Sequence, residues 1–295
     1  MMRQPLVLEM IPQSSGLARR VLGNASVLMS GAVLTVILIV AIAAPLIAPH
    51  DPYVHDLSRR LLPPMLFEGH NAAHPLGTDP FGRDYLSRLI YGARISLVIG
   101  FSVMLISGFI GTTLGLLAGY FGGRIDQFIM FVINTRLALP IFLVAMSIVV
   151  VFGPSITGTI LTISLFLWDR FAVVVRSATQ QAVSQDYVTA ARSIGCSNRY
   201  ILLGEILPNL VNVVIVIGTI EMAYAILVEA ALSFLGFGVQ EPMPSWGLML
   251  AQARQYLFFD SWLVYIPGAA LFSLALAINL FGDGLRDLLV AGDRG

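Results

Sequence analysis

The stretch ISLVIGFSVMLISGFIGTTLGLLAGYFGG, residues 95–123, contains no charged side chain. About 20 consecutive apolar residues are enough to cross the hydrocarbon core of a bilayer as an α-helix. Three further windows, residues 21–49, 137–168 and 261–282, are also free of charge. We therefore expect each of these windows to hold at least one membrane-spanning helix.

The window at residues 137–168 is predicted to form two helices rather than one. Gly153-Pro154-Ser155 divides it, and these residue types favour a turn. Two full spans fit only if the hairpin extends over Arg136 and over Asp169-Arg170, and we place these charges near one membrane face, where long side chains can reach outward. A further span is predicted from about Asn209 to Leu232. The fold class is therefore an all-α integral membrane protein with about six transmembrane helices.

The composition supports this class and excludes several functions. Only 12% of the residues are charged and 57% are hydrophobic, with a mean hydropathy of +0.84, whereas a soluble domain carries about 25% charged residues. Every basic residue is an arginine, so the chain lacks the lysine of an ATP-binding loop and of Schiff-base catalysis. We expect no enzyme activity in this chain, and the zero net charge offers no general attraction for nucleic acid.

The residues that commonly hold metals give little support for a metal site. Cys196 is the single cysteine, and all four histidines fall in one loop: His50, His55, His70 and His74. Their clustering is the one argument for a metal site, but their spacing matches no common ligand signature and the loop is rich in proline, so ordinary solvated histidines are the favoured interpretation. The sequence therefore predicts no metal site and no cofactor in this chain.

Arginine positions predict the orientation of the chain in the membrane. Arg19 and Arg20 precede the first apolar window, which favours a cytoplasmic N-terminus. Alternation of six spans then puts eleven arginines inside and six outside. The predicted divisions are a cytoplasmic tail at 1–20, a first helix with an outer loop at 21–94, a five-helix core at 95–287 and a cytoplasmic tail at 288–295.

The outer loop contains a motif that predicts a compact turn. Residues 77–84 read GTDPFGRD, in which acidic and basic side chains alternate with glycine. The loop either fixes how the second helix enters the bilayer or offers a docking surface to an external partner, and the first interpretation is favoured.

A cytoplasmic stretch, SQDYVTAARSIGCSNRYILLGEILP at residues 184–208, predicts two short helices outside the membrane. Ser184 is a suitable N-cap and Gly195 can end the first helix in a left-handed conformation. The second helix is predicted to start at Ser197 and to continue into the next span. Helical spacing puts four residues on one face of the first helix: Tyr187, Ala190, Ala191 and Ile194. Such a face can enter a groove of a partner or fold back on its own bundle, and periodicity leaves both open.

This stretch resembles the "EAA" loop of ATP-binding-cassette importer permeases, with two alanines, a glycine four residues on and an Ile-Leu-Pro that follows. Thr189 stands where that loop usually has glutamate. Other stretches resemble the peptide/nickel family, in particular its dipeptide/oligopeptide "C-type" permeases. They are LGTDPFGRD (76–84), YGARISL (91–97), AGYFGG (118–123), EAALSFLG (229–236), PSWG (244–247) and GDGLRD (282–287).

The resemblance implies a type I importer-like permease fold in a bacterial cytoplasmic membrane. The implied partners are a second homologous permease, two ATPase subunits that bind ATP and Mg²⁺, and an external solute-binding protein. The implied contacts with the ATPases lie in the EAA loop: Tyr187, Ala190, Ala191, Ile194, Gly195, Leu207 and Pro208. The implied cargo is di- or oligopeptides, and nickel remains an alternative within the family.

Two acidic residues in the fifth span are candidates for the translocation path. A charge at mid-bilayer costs about 2.5–3.5 kcal/mol on insertion scales, so neither Glu221 nor Glu229 should face lipid. Glu229 is expected to bond the loop around Ser245-Trp246-Gly247. Glu221 either meets cargo or bonds Tyr224 or the partner permease, and packing is favoured.

Two other classes fit the composition less well. A secondary transporter usually shows an internal repeat with broken helices, and we find none in this sequence. A membrane-embedded hydrolase would need a motif such as HExxH or GxSxG, and neither is present. The permease interpretation is therefore preferred.

Overall fold

The computed structural model describes residues 24–292, with side chains up to residue 287. Its helices are α1 (Ala25–Ile42), α2 (Ala44–Ile47), α3 (Tyr85–Phe121), α4 (Gly123–Leu137), α5 (Ile141–Phe152), α6 (Ile156–Val183), α7 (Asp186–Ser193), α8 (Asn198–Phe234, with a π-helical stretch at Ile201–Ile206), α9 (Trp246–Ala253) and α10 (Trp262–Gly292). Two 3₁₀ turns lie at Leu57–Arg59 and Arg254–Tyr256. The predicted tail at 1–20, with Arg19 and Arg20, lies outside the described residues. Of the predicted tail at 288–295, residues 288–292 belong to α10, and 293–295 lie outside the described residues.

Within the described residues, five helices are long and apolar enough to cross a membrane: α1, α3, α6, α8 and α10. The pair α4 and α5 makes a sixth span if it is counted as one, although the two helices are bent by 81°. The bend falls at Ala138-Leu139-Pro140, and proline is a common cause of such breaks because it cannot continue the backbone hydrogen bonding. The all-helical class with about six spans is confirmed.

The second span begins earlier than its charge-free window indicated. The carboxylate of Asp84 accepts a hydrogen bond from the backbone N–H of Ser87 at 2.7 Å and so caps α3 at Tyr85. Arg88, in the first turns, is buried and lies 3.4 Å from Asp79. A paired arginine can therefore be part of a helix that we expected to begin at residue 95.

The hairpin is confirmed at its turn and corrected at its far end. Helix α5 ends at Phe152 and α6 starts at Ile156, on either side of Gly153-Pro154-Ser155. However, α6 runs on to Val183, so Asp169 and Arg170 lie near the middle of this helix and not at its end. Both residues have partners inside the bundle, and a helix can therefore continue past them.

Close packing of α3 against α6 forms the centre of the bundle. Three glycines of α3, spaced four residues apart, face the backbone of α6: Gly111, Gly115 and Gly119. A Cβ atom at each would collide with a backbone carbonyl oxygen, those of Trp168, Ala172 and Arg176 respectively. Small residues at this spacing let two membrane helices approach each other closely.

The segment after α8 contains a short helix that the sequence did not predict. Helix α9 packs between α3, α8 and α10. The indole Nε1 of Trp246 donates a hydrogen bond to the carbonyl oxygen of Leu89 at 2.9 Å. This contact ties the PSWG motif to the first part of α3.

Candidate functional site

The first candidate is the helix pair that follows α6. Helix α7 runs from Asp186 to Ser193 with Gln185 as its N-cap, whereas Ser184 is the C-cap of α6, so the predicted cap was wrong by one residue. Gly195 follows the helix with φ of +81°, as expected of a left-handed terminator. The next helix starts at Asn198, and Ser197 caps it by accepting from the N–H of Tyr200.

The two sides of α7 have different environments. Tyr187, Ala190 and Ile194 are exposed, and Ile194 is exposed over 80% of its surface. Val188 and Ala191 are buried at 0% and 6% exposure. The predicted face is therefore divided: three of its members point away from the protein, and Ala191 packs inward.

The buried side of α7 contacts several membrane-spanning helices at once. Val188 and Ala191 belong to one apolar cluster that also contains Leu116 of α3, Val175 of α6 and Leu210 of α8. The buried side of α7 therefore shares one apolar cluster with residues of three spans. Close packing of this kind restricts independent movement of its members.

Polar contacts fix the same segment to the end of α3. The hydroxyl of Tyr120 donates a hydrogen bond to Asn198 Oδ1 at 2.8 Å. The guanidinium of Arg192 lies over the ring of Tyr120, 5.0 Å from its centre. Helix α7 and the start of α8 are thus both anchored to Tyr120 at the end of α3.

The remaining two residues of the predicted loop lie at the start of the fifth span. Residues Ile201–Ile206 form a π-helical stretch, after which α8 is α-helical from Leu207 to Phe234. Leu207 is half-buried and Pro208 is exposed. Proline is well tolerated at the first turn of an α-helix, because the N–H that it lacks would have no partner there.

The second candidate is a group of charges inside the bundle. Arg136 of α4 donates to Asp169 of α6 at 2.8 Å, and the neighbouring Arg170 donates to Glu221 of α8 at 3.3 Å. Asp169 and Glu221 are 3% and 1% exposed. Two positive and two negative side chains therefore neutralise one another where an unpaired charge would be costly.

Arg170 is the member of this group that reaches the surface. Its side chain is 45% exposed, and its guanidinium lies 4.2 Å from the centre of the Tyr224 ring. Sequence reasoning missed Arg170 because it assigned Asp169-Arg170 to a membrane face. The available signal was the adjacent acid and base in α6 together with Arg136 in α4 and the unexplained Glu221 in α8, which form a charge-balanced set of four.

Glu229 contacts both the loop that follows α8 and the stretch expected from the sequence. Its carboxylate accepts a hydrogen bond from Ser233 Oγ at 2.7 Å, one turn further along α8. Ser233 Oγ in turn accepts from the N–H of Val239 at 2.9 Å. The side chain of Ser245 also interacts with the Glu229 carboxylate, in line with the expected contact to the Ser245-Trp246-Gly247 stretch.

An ion-pair network joins the two loops at the other end of the bundle. Arg83, which is 1% exposed, donates to Asp79 at 2.6 Å and forms a double hydrogen bond with Glu241 at 2.6 and 3.0 Å. Burial alone would raise the pKa of the Glu241 carboxyl, but the hydrogen bonds from Arg83 and the charge of Arg88 hold this pKa below its usual range. The predicted compact turn is therefore present, and it is clamped to the loop between α8 and α9.

Comparison with known families decides the classification. Residues 111–292, more than half of the chain, match the model of the binding-protein-dependent transport system inner membrane component. This chain belongs to that family. Residues 16–64 also match the N-terminal transmembrane domain of oligopeptide transport permease C.

Curated relatives are similar to this family member over most of its length. The di/tripeptide transport system permease protein DppC of Pseudomonas aeruginosa is 44% identical over 88% of this chain and 86% of its own. The dipeptide permease DppC of Haemophilus influenzae is 42% identical over 86% of each chain. The probable D,D-dipeptide permease DdpC of Escherichia coli is 38% identical over 90% and 88%.

Solved structures resemble this permease in fold. The inward-facing MetNI methionine ABC transporter matches with a TM-score of 0.56, at 17% identity, over 68% of this chain and 95% of that chain. At this identity the likeness concerns the fold alone. The protein is thus a multi-pass membrane protein with an importer-permease fold, as expected.

Proposed function

We propose that this chain is one of two permease subunits of an ATP-driven importer and that the pair forms the path for di- and oligopeptides. Three relatives that are 38–44% identical carry names of dipeptide or di/tripeptide permeases, and this favours peptides over nickel as the cargo. Membership of a binding-protein-dependent family disfavours the secondary-transporter alternative. The location that fits this role is the bacterial cytoplasmic membrane.

The coupling to ATP hydrolysis is assigned to α7 and its surroundings. The exposed side chains of Tyr187, Ala190 and Ile194 form the surface on which an ATPase subunit docks. The observation that carries this proposal is the division of α7 into an exposed side and a side wedged against three spans. A partner that pushes the exposed side moves the spanning helices, while Gly195, Leu207 and Pro208 shape the connection.

Two ATPase subunits supply the chemistry that this chain lacks. They bind ATP and Mg²⁺, because the chain has no lysine to reach the outer phosphates of a nucleotide. This division of labour puts α7 and both termini in the cytoplasm. The clamped loops at the opposite end of the bundle, including Arg83 and Glu241, then face the external solute-binding protein.

The second permease is assigned to the face that carries Arg170 and Tyr224. A half-exposed guanidinium at the middle of a spanning helix is unfavourable against lipid. It becomes favourable if a homologous permease or a water-filled path covers this face. Glu221 and Glu229 are themselves buried, so we propose that Glu221 acts in the path through Arg170 and that Glu229 acts through helix packing.

The proposed coupling can be tested with the complete transport complex in proteoliposomes. Ala190→Trp adds bulk to the exposed side of α7 and should abolish peptide uptake and reduce co-purification of the ATPases. Ala190→Ser changes the same position with little added volume and should leave both unchanged. Normal uptake by the tryptophan variant would contradict the assignment of α7.

A further inference from the structure

Three side chains that can bind a metal meet near the start of α3. Their possible ligand atoms all lie within 4.8 Å of one another, and they come from three separate segments: His50, His74 and Asp84. We propose that these residues bind one divalent transition-metal ion, with Zn²⁺ as the cation that suits their ligands best. The site revises our expectation that this chain holds no metal.

The distances are close to those that a small cation requires. Zn²⁺ binds histidine nitrogen and carboxylate oxygen at about 2.0–2.2 Å, so tetrahedral ligand atoms lie about 3.3–3.5 Å apart. His50 Nδ1 lies 3.7 Å from Asp84 Oδ1, and His74 Nδ1 lies 2.9 Å from the same oxygen. A metal therefore needs side-chain shifts of only about an ångström, and it replaces the hydrogen bond between His74 and Asp84.

Ser87 holds two of the ligands in place. Its Oγ donates to Asp84 Oδ2 at 2.6 Å and accepts from the backbone N–H of His50 at 3.1 Å. Asp84 Oδ2 also accepts from the N–H of Ser87, so Oδ1 is the oxygen left for a metal. Such outer contacts orient the ligands of metal sites and restrict their freedom before the metal arrives.

The third ligand is held by its own turn. The N–H of His74 donates to the carbonyl oxygen of Asn71 at 2.9 Å, and the carbonyl oxygen of His74 accepts from the N–H of Gly77 at 2.8 Å. His74 is 6% exposed, and its ring centre lies 4.6 Å from that of His50. The two imidazoles and the carboxylate therefore converge without a metal.

The site remains open to solvent on one side. The side chain of His50 is 40% exposed, whereas those of His74 and Asp84 are buried. Two imidazoles and one carboxylate leave a fourth tetrahedral position for water. A bound ion would join the end of α2, the loop and the cap of α3, and it would therefore stabilise this end of the bundle.

The other two histidines of the loop provide matched controls. His55 stacks on the ring of Phe81 at 5.7 Å, and His70 Nδ1 lies 3.1 Å from the carbonyl oxygen of Phe67. Neither belongs to the cluster. A site that depends on the cluster should tolerate replacement of either one.

The test is calorimetric titration of Zn²⁺ into the full chain, purified in detergent and stripped with a chelator, in a Cys196→Ser background. We expect one ion per chain, with affinity lowered at least tenfold by His50→Gln and by His74→Gln. His55→Gln and His70→Gln should bind like the parent. Zn²⁺ should also raise the unfolding temperature of the parent but not that of His50→Gln or His74→Gln.

A second variant separates loss of the site from loss of folding. Asp84→Asn keeps an N-cap for α3 but removes the anionic ligand, so it should fold normally and bind Zn²⁺ more weakly. Absence of Zn²⁺ binding by the folded parent would overturn the proposal. Binding of Zn²⁺ by His50→Gln with the affinity of the parent would also overturn it. An unfolding temperature that depends on pH but not on Zn²⁺ would overturn it as well, because it would indicate that the three residues form only a hydrogen-bonded ion pair.

Discussion

Arg170 of α6 lies 3.3 Å from Glu221 of α8, and each is the fifteenth residue of a 28-residue α-helical segment. The pair therefore joins the middle of α6 to the middle of the α-helical part of α8, Leu207–Phe234. The carboxylate is buried and the guanidinium is half-exposed. An ion pair in this position joins two spanning helices and leaves a positive group half-exposed on the surface of the bundle.

We expect Glu221→Leu to destabilise the chain by about 1–3 kcal/mol, because it leaves Arg170 without its anionic partner. The loss is smaller than for a fully buried ion pair, since the Arg170 side chain is half-exposed. Glu221→Gln keeps an acceptor for Arg170 and should cost less. The measurement is a double-mutant cycle of thermal stability with Arg170→Gln. Additive effects of the two substitutions would show that the pair contributes nothing.

Transport by the Glu221→Gln variant distinguishes two roles of Glu221, contact with the cargo and packing between helices. Because the carboxylate is buried against Arg170, we expect peptide uptake to change little with this variant. Uptake is to be compared for peptides with free and with blocked amino termini. A loss confined to peptides with a free amino terminus would mean that Glu221 meets cargo directly.

The two alanines of α7 should respond differently to tryptophan. Ala191→Trp forces bulk into the cluster with Val188 and should lower stability by about 1–3 kcal/mol. Ala190→Trp lies on the exposed side and should leave the unfolding temperature of the isolated chain unchanged. Equal unfolding temperatures for the two variants would contradict the division of α7 described above.

Gly115 is expected to be essential for the contact between α3 and α6. Gly115→Ala puts a Cβ against the carbonyl oxygen of Ala172 and should lower the unfolding temperature, although alanine favours a helix by about 1 kcal/mol elsewhere. Gly31→Ala in α1 meets only an ordinary contact at 3.7 Å from Phe281 and serves as the control. A variant at Gly115 as stable as the parent would argue against close packing there.

The ion pair between Arg83 and Glu241 should make the stability of the folded chain decrease at acidic pH. A carboxyl whose pKa is lowered in the folded state contributes stability above its unfolded pKa and loses it as the pH falls through the lowered value. Glu241→Gln should therefore lower the unfolding temperature at pH 7, and the difference should shrink below pH of about 4. Glu68→Gln, at an exposed position, should behave like the parent at both pH values.

The isolated chain should not hydrolyse ATP, because it contains no lysine for a nucleotide-binding loop. Phosphate release is to be measured with the purified subunit and, as a positive control, with the assembled complex. Turnover by the subunit free of ATPase contamination would refute this expectation.

Much of the fold could be predicted from the sequence because a membrane-spanning helix requires a continuous apolar stretch, which is visible in the local sequence. A run of about 20 apolar residues without charge is enough to predict a span, and residues 95–123 and 261–282 meet that condition by themselves. The turn at Gly153 and the terminator Gly195 are also local, since each depends on backbone conformations that glycine adopts readily. The motifs of the EAA loop likewise lie within one continuous stretch.

Only the tertiary structure decided which charged and polar groups meet. Arg170 pairs with a residue 51 positions away, and His50, His74 and Asp84 come together from three segments. Helical spacing put Ala190 and Ala191 on one face of α7, but the three spans that cover Ala191 determine which of the two is free to contact a partner. The physical reason is that a charge or an apolar side chain can be satisfied by any suitable neighbour in space, and its distance along the chain does not indicate which neighbour that will be.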